Sequence, residues 1–298
     1  MRIRATAAAV TVSGALALTA IVVPAAQAAD NSPSAAAAKV TAGFKAAHAA
    51  PRASTFAASS VDDEQYGDTA ISKIVVNGGK DVVLGTSAKA KFKITFTATD
   101  DSGINNTSGA AIVYHGSDLD SSNIGAVPNE DIDGTATTCK TVNATTSTCT
   151  LNFTVDPLWL YNTDAGSWKV WVGAQAKDAD YTIRENAKTY STKRYAKLTT
   201  NAAPEPIKKG KTLTATGLLS RANWDTSKYA GYTQQKVTLQ FRKKTSSTYS
   251  TVKTVTSDSK GNLKTTVKAS ADGYFRYKFA GTSTTPAVTS TSDFVDVR

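Results

Sequence analysis

Asp and Asn residues at alternating positions give the clearest chemical signal in this sequence. They occur in Asn129-Glu-Asp-Ile-Asp-Gly134, where Asn129, Asp131 and Asp133 precede a glycine in the sixth position. This pattern matches the opening of a Ca²⁺-binding loop of the D-x-[DN]-x-[DN]-G kind, in which the glycine permits the turn that brings the oxygen ligands together. The twelfth position is Lys140, where such a loop carries a bidentate Glu, and no flanking helices are predicted. The sequence therefore excludes an EF-hand.

An irregular Ca²⁺ site built from several loops is one of two interpretations that remain. Loops at one end of a β-sandwich can meet in space, and carboxylate oxygens suit Ca²⁺. The candidates for additional ligands are Asp118, Asp120, Asp100 and Asp101. Asp178-Ala-Asp180 is a second, weaker pair of the same type. The other interpretation is a set of ordinary solvated turns, because Asp and Asn stabilise turns by local hydrogen bonds.

Residues that could form a hydrolytic active site are scarce. The chain has two histidines, His48 and His115, and it lacks a G-x-S-x-G motif. The segment His115-Gly-Ser-Asp118 contains the residue types of a catalytic triad, but triads assemble from segments that are distant in sequence. We therefore predict a protein without enzymatic activity. A metal-dependent hydrolase that uses the aspartates is the alternative from a different class.

The first 28 residues have the pattern of a signal peptide. Arg2 and Arg4 precede an apolar stretch over residues 7–23, and Ala26-Gln-Ala28 provides a cleavage site. A transmembrane anchor is the weaker alternative, because the stretch is built from Ala and Thr rather than Leu and a cleavage site follows at once. We predict a secreted, extracellular protein with no membrane span in the mature chain. Association with the cell wall is compatible with this prediction.

Cys139 and Cys149 are the only cysteines in the chain. In an exported protein a close, isolated pair of cysteines indicates a disulfide. Zinc is a poor alternative, because it needs about four ligands and no histidine lies nearby. A bridge across so short a loop stabilises the fold by about 2–3 kcal/mol in the chain-entropy model. A rigid hairpin of this kind also suggests another function, a protein inhibitor that presents the hairpin to a protease.

The charge divides the chain into an acidic part and a basic part. Residues 61–201 carry thirteen Lys or Arg and seventeen Asp or Glu, whereas residues 202–298 carry sixteen and six. The basic residues include the consecutive Arg242, Lys243 and Lys244, which are candidates for binding polyanions such as anionic cell-wall polymers. The competing interpretation is solubility and the protection of sheet edges by lysine. We expect no specific nucleic-acid binding.

A period-2 alternation of apolar residues predicts the elements that must position these side chains. The residues that share one face of the clearest predicted strand are Phe92, Ile94, Phe96 and Ala98. In another predicted strand, Trp168 and Trp171 fall on opposite faces. Many short strands separated by polar turns, without a long 3.6-residue period, are typical of a β-sandwich.

The predicted domains follow from composition. Residues 29–60 are rich in Ala and Ser and are predicted to be a flexible leader with little to bury. Asn201–Pro206 contains two prolines and is predicted to be a linker. The two domains are then residues 61–201 and 202–298. Trp224 falls in a predicted loop of the second domain, where it either caps the core or stacks on sugars.

Several segments resemble a known group of proteins. Three segments that resemble the immunoglobulin-like modules of secreted actinobacterial proteins are Pro206–Gly217, Gln235–Lys244 and Gly273–Gly281. Three that look like the domain found ahead of that module are Asn77–Lys80, Thr97–Gly103 and Gly166–Trp171. The resemblance implies an all-β fold, with two immunoglobulin-like β-sandwich domains in tandem. It also suggests a non-catalytic, calcium-binding protein of the cell envelope, with anionic cell-wall polymers or an extracellular protein as its partner.

Overall fold

The computed structural model describes residues 32–48, 63–122, 124–129 and 136–298. Within these ranges the fold is all-β apart from one α-helix and three short 3-10 helices, which confirms the predicted fold class. No helix in the described ranges is long and apolar enough to cross a membrane. The predicted signal peptide lies outside the described residues.

The first sandwich consists of two sheets. Its strands are β1 Glu64–Tyr66, β2 Ala70–Val76, β3 Val82–Leu84, β4 Ala90–Thr99, β5 Ala110–His115, β6 Ile124–Ala126, β7 Cys139–Asn143, β8 Thr146–Val155, β9 Gly166–Gln175 and β10 Tyr181–Arg194. One sheet has the order β1–β10–β9–β5–β6, with β3 pairing in parallel with β10. The other sheet has the order β2–β4–β8–β7, and its pairings are antiparallel.

The alternation in the sequence builds the core between these sheets. Phe92, Ile94 and Phe96 on β4 are buried and belong to one apolar cluster with Trp168 and Val170 of β9. Each large apolar side chain removed from water contributes about 1.5–3 kcal/mol, so this cluster is the main source of the domain's stability. The predicted inward face of β4 is therefore confirmed.

A single helix, α1 (Pro33–His48), covers the outer face of the first sheet. It begins after Ser32, whose hydroxyl oxygen accepts a hydrogen bond from the Ala35 N–H at 3.1 Å. The buried apolar side chains of α1 are Ala37, Val40 and Phe44. They pack in a second cluster with outward-facing residues of the sheet, including Trp171. The position of Trp171 opposite Trp168 is therefore explained by a helix on the other side of the sheet.

The prediction of a flexible leader over residues 29–60 is wrong for residues 33–48. The segment has few large apolar side chains, but its alanines let the helix backbone approach the sheet closely. Gly173 on β9 assists this approach, because a Cβ there would lie 3.0 Å from the Phe44 ring. A composition with few large apolar residues thus suffices for a docked helix.

The second sandwich also consists of two layers. Its strands are β11 Ala196–Leu198, β12 Asn201–Ala203, β13 Thr212–Asn223, β14 Lys228–Gly231, β15 Lys236–Lys243, β16 Ser250–Thr256, β17 Asn262–Lys268, β18 Gly273–Phe279, β19 Val288–Thr289 and β20 Asp293–Val295. In one layer β11, β12, β14 and β17 all pair with β13. The other layer has the order β16–β15–β18–β19, with β20 also pairing with β18.

The junction between the sandwiches differs from the predicted linker at residues 201–206. β11 and β12 already pair with β13, so the second sheet begins at Ala196, ahead of the predicted boundary. The two prolines do end strand pairing, but only after Ala203. Proline restricts the residue before it to extended backbone, which is compatible with the strand that precedes it.

Candidate functional site

Three loops of the first sandwich meet at one end of the domain. Residues 67–69 connect β1 to β2, residues 100–109 connect β4 to β5, and residues 176–180 connect β9 to β10. The antiparallel register forces this convergence, because Thr99 at the end of β4 pairs with Ala70. At the end of β9, Gln175 pairs with Tyr181 in the same way.

Five aspartates on these loops form what we call the aspartate cluster: Asp68, Asp100, Asp101, Asp178 and Asp180. They make two groups of three, in each of which carboxylate oxygens lie within 4.8 Å of one another. One group consists of Asp68, Asp100 and Asp180, and the other of Asp100, Asp101 and Asp178. Asp100 belongs to both groups and is the centre of the cluster.

Asp100 is buried and held by its own loop. Its Oδ2 accepts a hydrogen bond from the Thr69 hydroxyl at 2.7 Å, and its Oδ1 accepts from the Ser102 N–H at 2.9 Å and hydroxyl at 2.6 Å. Desolvation raises the pKa of Asp100, but the hydrogen bonds from Ser102 and Thr69 outweigh it and lower the pKa below its ordinary value. Asp100 is therefore a fixed, ionised carboxylate.

Asp68 has the opposite electrostatic character. Desolvation, together with the adjacent Asp100 and Asp101 carboxyls, raises the pKa of Asp68 above its ordinary value. Like charges so close together disfavour ionisation of the second carboxyl. A cation between these groups would remove that repulsion.

Gly67 makes room for this arrangement. Its φ is +71°, and a Cβ at this position would coincide with the Asp180 carboxylate, at 1.5 Å from Oδ2. A side chain at Gly67 would strain the backbone and displace Asp180. The glycine therefore positions one carboxylate of the cluster.

The disulfide-linked hairpin supports the same loop. Cys139 and Cys149 form the predicted disulfide and pair directly across β7 and β8. At the tip of the hairpin, the Thr145 carbonyl accepts a hydrogen bond from the Asp100 N–H at 2.9 Å. The hairpin thus lies against the cluster and braces the loop that carries its central carboxylate.

The structure does not bring Asp118 and Asp120, two of the alternative candidate ligands, to Asp100. Asp118 and Asp120 follow β5, whose end lies beside the start of β9, at the opposite end of the domain from the cluster. Asp118 holds a local turn, because its carboxylate accepts hydrogen bonds from the Ser117 hydroxyl and the Ser121 N–H, each at 2.7 Å. The Ser121 and Ser117 hydrogen bonds lower the pKa of Asp118 to about 2.

The loop that carried the strongest sequence signal stays untested. Asn129 lies beside the middle of β8, where its N–H donates to the Asn152 carbonyl at 2.7 Å. Asp131 and Asp133 lie outside the described residues. Sequence reasoning instead underrated Asp178 and Asp180 and missed Asp68, which follows a strand of three residues too short to give an alternating pattern.

Neither histidine supplies a ligand to the two carboxylate groups of the described chain. His115 ends β5 at the far end of the domain and lies 6.0 Å from the Trp168 ring. His48 ends α1 and lies 3.5 Å from the Tyr66 ring. The cluster is a set of oxygen ligands only.

The basic candidates lie on the second sandwich. Arg242 is on the outward face of β15, and its guanidinium lies 3.9 Å from the centre of the Tyr274 ring. Lys243 is the last residue of β15 and alternates to the other side of the strand. Lys244 follows it, with its Nζ 5.5 Å from the Phe294 ring. Arg242 and Lys244 are thus associated with neighbouring aromatic rings of one face.

Comparisons with known proteins give one partial family match. A family model described as a family of unknown function (DUF5707) matches residues 82–174, which include Asp100 and Asp101. No curated protein matches the chain. Among solved structures, domains A168–A170 of titin share 12% identity over 79% of this chain and 68% of that chain, with a TM-score of 0.26. The D00–D0 domains of intimin share 11% over 75% and 99%, with a TM-score of 0.25.

A third similar structure is Dpr2 Ig1–Ig2 in complex with DIP-Theta Ig1–Ig3. It shares 12% identity over 76% of this chain and 98% of that chain, with a TM-score of 0.28. Similarity at this level conveys no function.

Proposed function

We propose that this chain is an extracellular, non-catalytic binding or structural protein whose first sandwich binds Ca²⁺ at the aspartate cluster. The observation that carries the proposal is the convergence of five carboxylates from three loops at one end of the domain. Carboxylate repulsion at such short distances costs stability unless a cation offsets it. Ca²⁺ fits because it is a hard cation that prefers oxygen ligands.

The residues of the cluster have different parts in this proposal. Asp100 is anchored by Thr69 and Ser102 and offers the lone pairs that those hydrogen bonds leave unused. Asp68, Asp101 and Asp178 are exposed and supply charge from three different loops. Ca²⁺ held between them would tie the loops together and stiffen this end of the sandwich.

A metal-dependent hydrolase is the rival function for the same aspartates. Metal-assisted hydrolysis requires a site shaped to exclude bulk water around the metal and the substrate. Three of the five aspartates are exposed at the tips of turns. The open position of the cluster therefore favours a structural ion over a catalytic one.

The predicted signal peptide supports an extracellular location, where Ca²⁺ at the millimolar level suits sites with dissociation constants of about 10⁻⁴–10⁻³ M. Disulfides such as Cys139–Cys149 persist in oxidising compartments, which supports the same location. The proposed partner is an anionic polymer of the cell envelope or an extracellular protein.

Thermal unfolding of the mature chain with and without Ca²⁺ tests the ion site. We expect a rise in Tm of about 5 °C or more when Ca²⁺ exceeds its Kd about 100-fold, since a ligand bound only by the native state stabilises it. Asp68→Asn and Asp178→Asn should each reduce this rise. No rise at ~10 mM Ca²⁺, well above the weakest affinities of extracellular modules, would show that the cluster binds no Ca²⁺.

Asp120→Asn is the matched control for these two variants. It removes the same charge from an exposed aspartate at the opposite end of the same sandwich. We expect it to leave the Ca²⁺-dependent rise in Tm unchanged. An equal loss in Asp120→Asn would assign the effect to net charge rather than to the cluster.

A further inference from the structure

In the second sandwich, one sheet contains β15 and β18 at its centre. Among the described residues, no helix covers the outer face of this sheet. On β15, Val237, Leu239 and Phe241 point into the core, so the residues between them point outward. The same alternation on β18 turns Phe275 and Tyr277 inward. The outward residues of these two central strands are Thr238, Gln240, Arg242, Tyr274, Arg276 and Lys278.

Aromatic rings and guanidinium groups lie beside one another across this face. Arg242 pairs with Tyr274 across β15 and β18, and Tyr274 pairs with Phe294 on β20. Tyr249, which immediately precedes β16, continues the row on the other side of β15. We call Tyr249, Arg242, Arg276, Tyr274 and Phe294 the aromatic–arginine row.

Stacking holds the two arginines in place. The Arg276 guanidinium lies 3.6 Å from the centre of the Tyr249 ring, and the Arg242 guanidinium lies 3.9 Å from that of Tyr274. Arg276 Nε donates to Gln240 Oε1 at 2.9 Å, and Arg242 Nη1 donates to the Ser246 carbonyl at 2.9 Å. Both side chains have therefore lost much of their rotamer freedom before any ligand arrives.

The positive charge of the row is not neutralised within the described ranges. Neither Arg242 nor Arg276 forms an ion pair with a described carboxylate. Asp296, which follows β20, is paired with Arg298, at 3.0 Å from its Nε. Each guanidinium has five N–H donors, and the hydrogen bonds above use only one of them in each case.

The row differs from a surface that serves solubility alone. Lysine is the residue that commonly protects sheet edges, and it needs no fixed orientation for that purpose. Here two planar guanidiniums are stacked on rings at the centre of a sheet, where a fork of donors matches a phosphate or a carboxylate. The fixed orientation indicates recognition of a specific anion.

Spacing favours a chain with repeated charges. Gln240 is the residue opposite Arg276. Arg242 and Arg276 are therefore diagonal neighbours on adjacent strands, and the Cα–Cα distance between such neighbours is typically about 7–8 Å. A polyol phosphate chain repeats its charge after six backbone bonds, which is about 7 Å in an extended chain by analogy with peptide geometry. The half-buried rings of Tyr274 and Phe294 offer apolar contact to the carbon units between the phosphates.

We propose that the aromatic–arginine row binds a polyol phosphate chain, with Arg242 and Arg276 contacting successive phosphates. The inference deepens the proposed binding role and is independent of Ca²⁺ at the first sandwich. It assigns the partner to one surface and to one class of envelope polymer.

Binding of the mature chain to immobilised poly(glycerol phosphate), measured in EDTA so that Ca²⁺ has no part, tests the proposal. We expect the double variant Arg242→Gln/Arg276→Gln to lose at least tenfold in affinity. The double variant Arg242→Lys/Arg276→Lys keeps the charge but loses the guanidinium fork, and it should also lose several-fold. Unchanged Tm values would show that both proteins are folded.

Lys209→Gln/Lys268→Gln is the control, because it removes two positive charges from exposed positions outside the row. We expect less than a twofold loss. Equal losses in the control and the arginine variants would reduce the interaction to net charge and overturn the proposal.

Tighter binding to polygalacturonate than to poly(glycerol phosphate) would overturn the assignment to phosphate. Full binding by the arginine variants would overturn the site alone, whereas failure of the wild-type chain to bind either polymer would also contradict the binding role.

Discussion

Asp68 and Asp100 are neighbouring carboxyls whose pKa values the fold moves in opposite directions. Desolvation and the adjacent carboxyls raise the pKa of Asp68, whereas hydrogen bonds from Ser102 and Thr69 lower that of Asp100. A carboxyl whose folded-state pKa is raised contributes stability at low pH and loses it as pH rises through that raised pKa. A carboxyl whose folded-state pKa is lowered contributes stability above its ordinary pKa. Without a cation, Asp68 therefore contributes less stability at neutral pH than at pH 4, whereas Asp100 contributes more.

The variant Asp68→Asn tests this balance in the Ca²⁺-free protein. The Asn amide cannot ionise. The variant should therefore not show the loss of stability that Asp68 causes as pH rises above 3.8, the ordinary pKa of an Asp side chain. We expect its Tm to exceed that of the wild-type chain at pH 7 in EDTA, and the two values to converge near pH 4. Tm measured between pH 4 and pH 7 checks this. Parallel curves for the two proteins would show that Asp68 feels no repulsion from Asp100.

The candidate site shows what residue types can and cannot indicate. Asp100 and Asp101 are identified from sequence because Asp-Asp-Ser-Gly after a strand is a conspicuous turn. Asp118 has the same kind of signal, but its carboxylate only holds a local turn. Turn composition does not reveal at which end of a sandwich a loop lies, because the position of the loop depends on strand register. Asp68 becomes a candidate only when β1 pairs with β10 and brings its turn beside Asp180.

The helix α1 is the element that the sequence describes least well. Strand alternation identifies β4 and β9 from their own residues, because the period of two sets which side chains face inward. An Ala-rich helix carries no comparable pattern, and its docking depends on apolar outward-facing residues of β5, β9 and β10 that lie more than 60 residues away in sequence. Trp171, which points away from the sandwich core, has a pattern that indicates that something covers this face.

Phe44→Ala tests whether α1 is held to the sheet mainly by this one aromatic ring. Truncating a buried Phe costs about 3–5 kcal/mol, which is more than one short docked helix can lose and remain bound. We expect α1 to detach, so that Trp171 becomes exposed and its fluorescence shifts to longer wavelength. Lys39→Ala changes an exposed residue of the same helix and should leave the emission unchanged. An unshifted spectrum for Phe44→Ala would mean that the remaining contacts of α1 are sufficient.

At the scale of the whole molecule, Trp224 links the two sandwiches, because it belongs to the second in sequence and packs in the core of the first. Trp224 follows β13 of the second sandwich, but its side chain is buried in the core cluster of the first. Its Nε1 donates to the Gly85 carbonyl at 2.9 Å, and its N–H donates to Asn162 Oδ1 at 2.9 Å. The sequence predicts that Trp224 either caps the core or stacks on sugars. The structure favours a cap, but on the neighbouring domain, which no local pattern reveals.

This shared residue also constrains the surfaces proposed for function. The aspartate cluster and the aromatic–arginine row lie on different sandwiches, one acidic and one basic. Arg194 of β10 reinforces the connection, because its Nε donates to the Ala222 carbonyl at 2.7 Å. Burial lowers the pKa of Arg194 to about 10, so the group stays charged at neutral pH. A fixed junction would let the proposed polymer ligand of one sandwich determine how the other is presented.

Trp224→Ala tests whether the junction couples the unfolding of the two sandwiches. Losing a fully buried Trp costs about 3–5 kcal/mol, and here the loss falls on the first core although the substitution lies in the second domain. The wild-type chain should unfold in one transition, and Trp224→Ala should show two, with the first sandwich unfolding at the lower temperature. Differential scanning calorimetry resolves these transitions. Trp159→Ala, which removes a tryptophan that is 40% exposed, is the control and should keep a single transition. If Trp224→Ala also unfolds in one transition at a lower Tm, the two sandwiches are coupled by backbone hydrogen bonds at the junction, such as that from the Arg194 N–H to the Thr284 carbonyl, rather than by the buried ring.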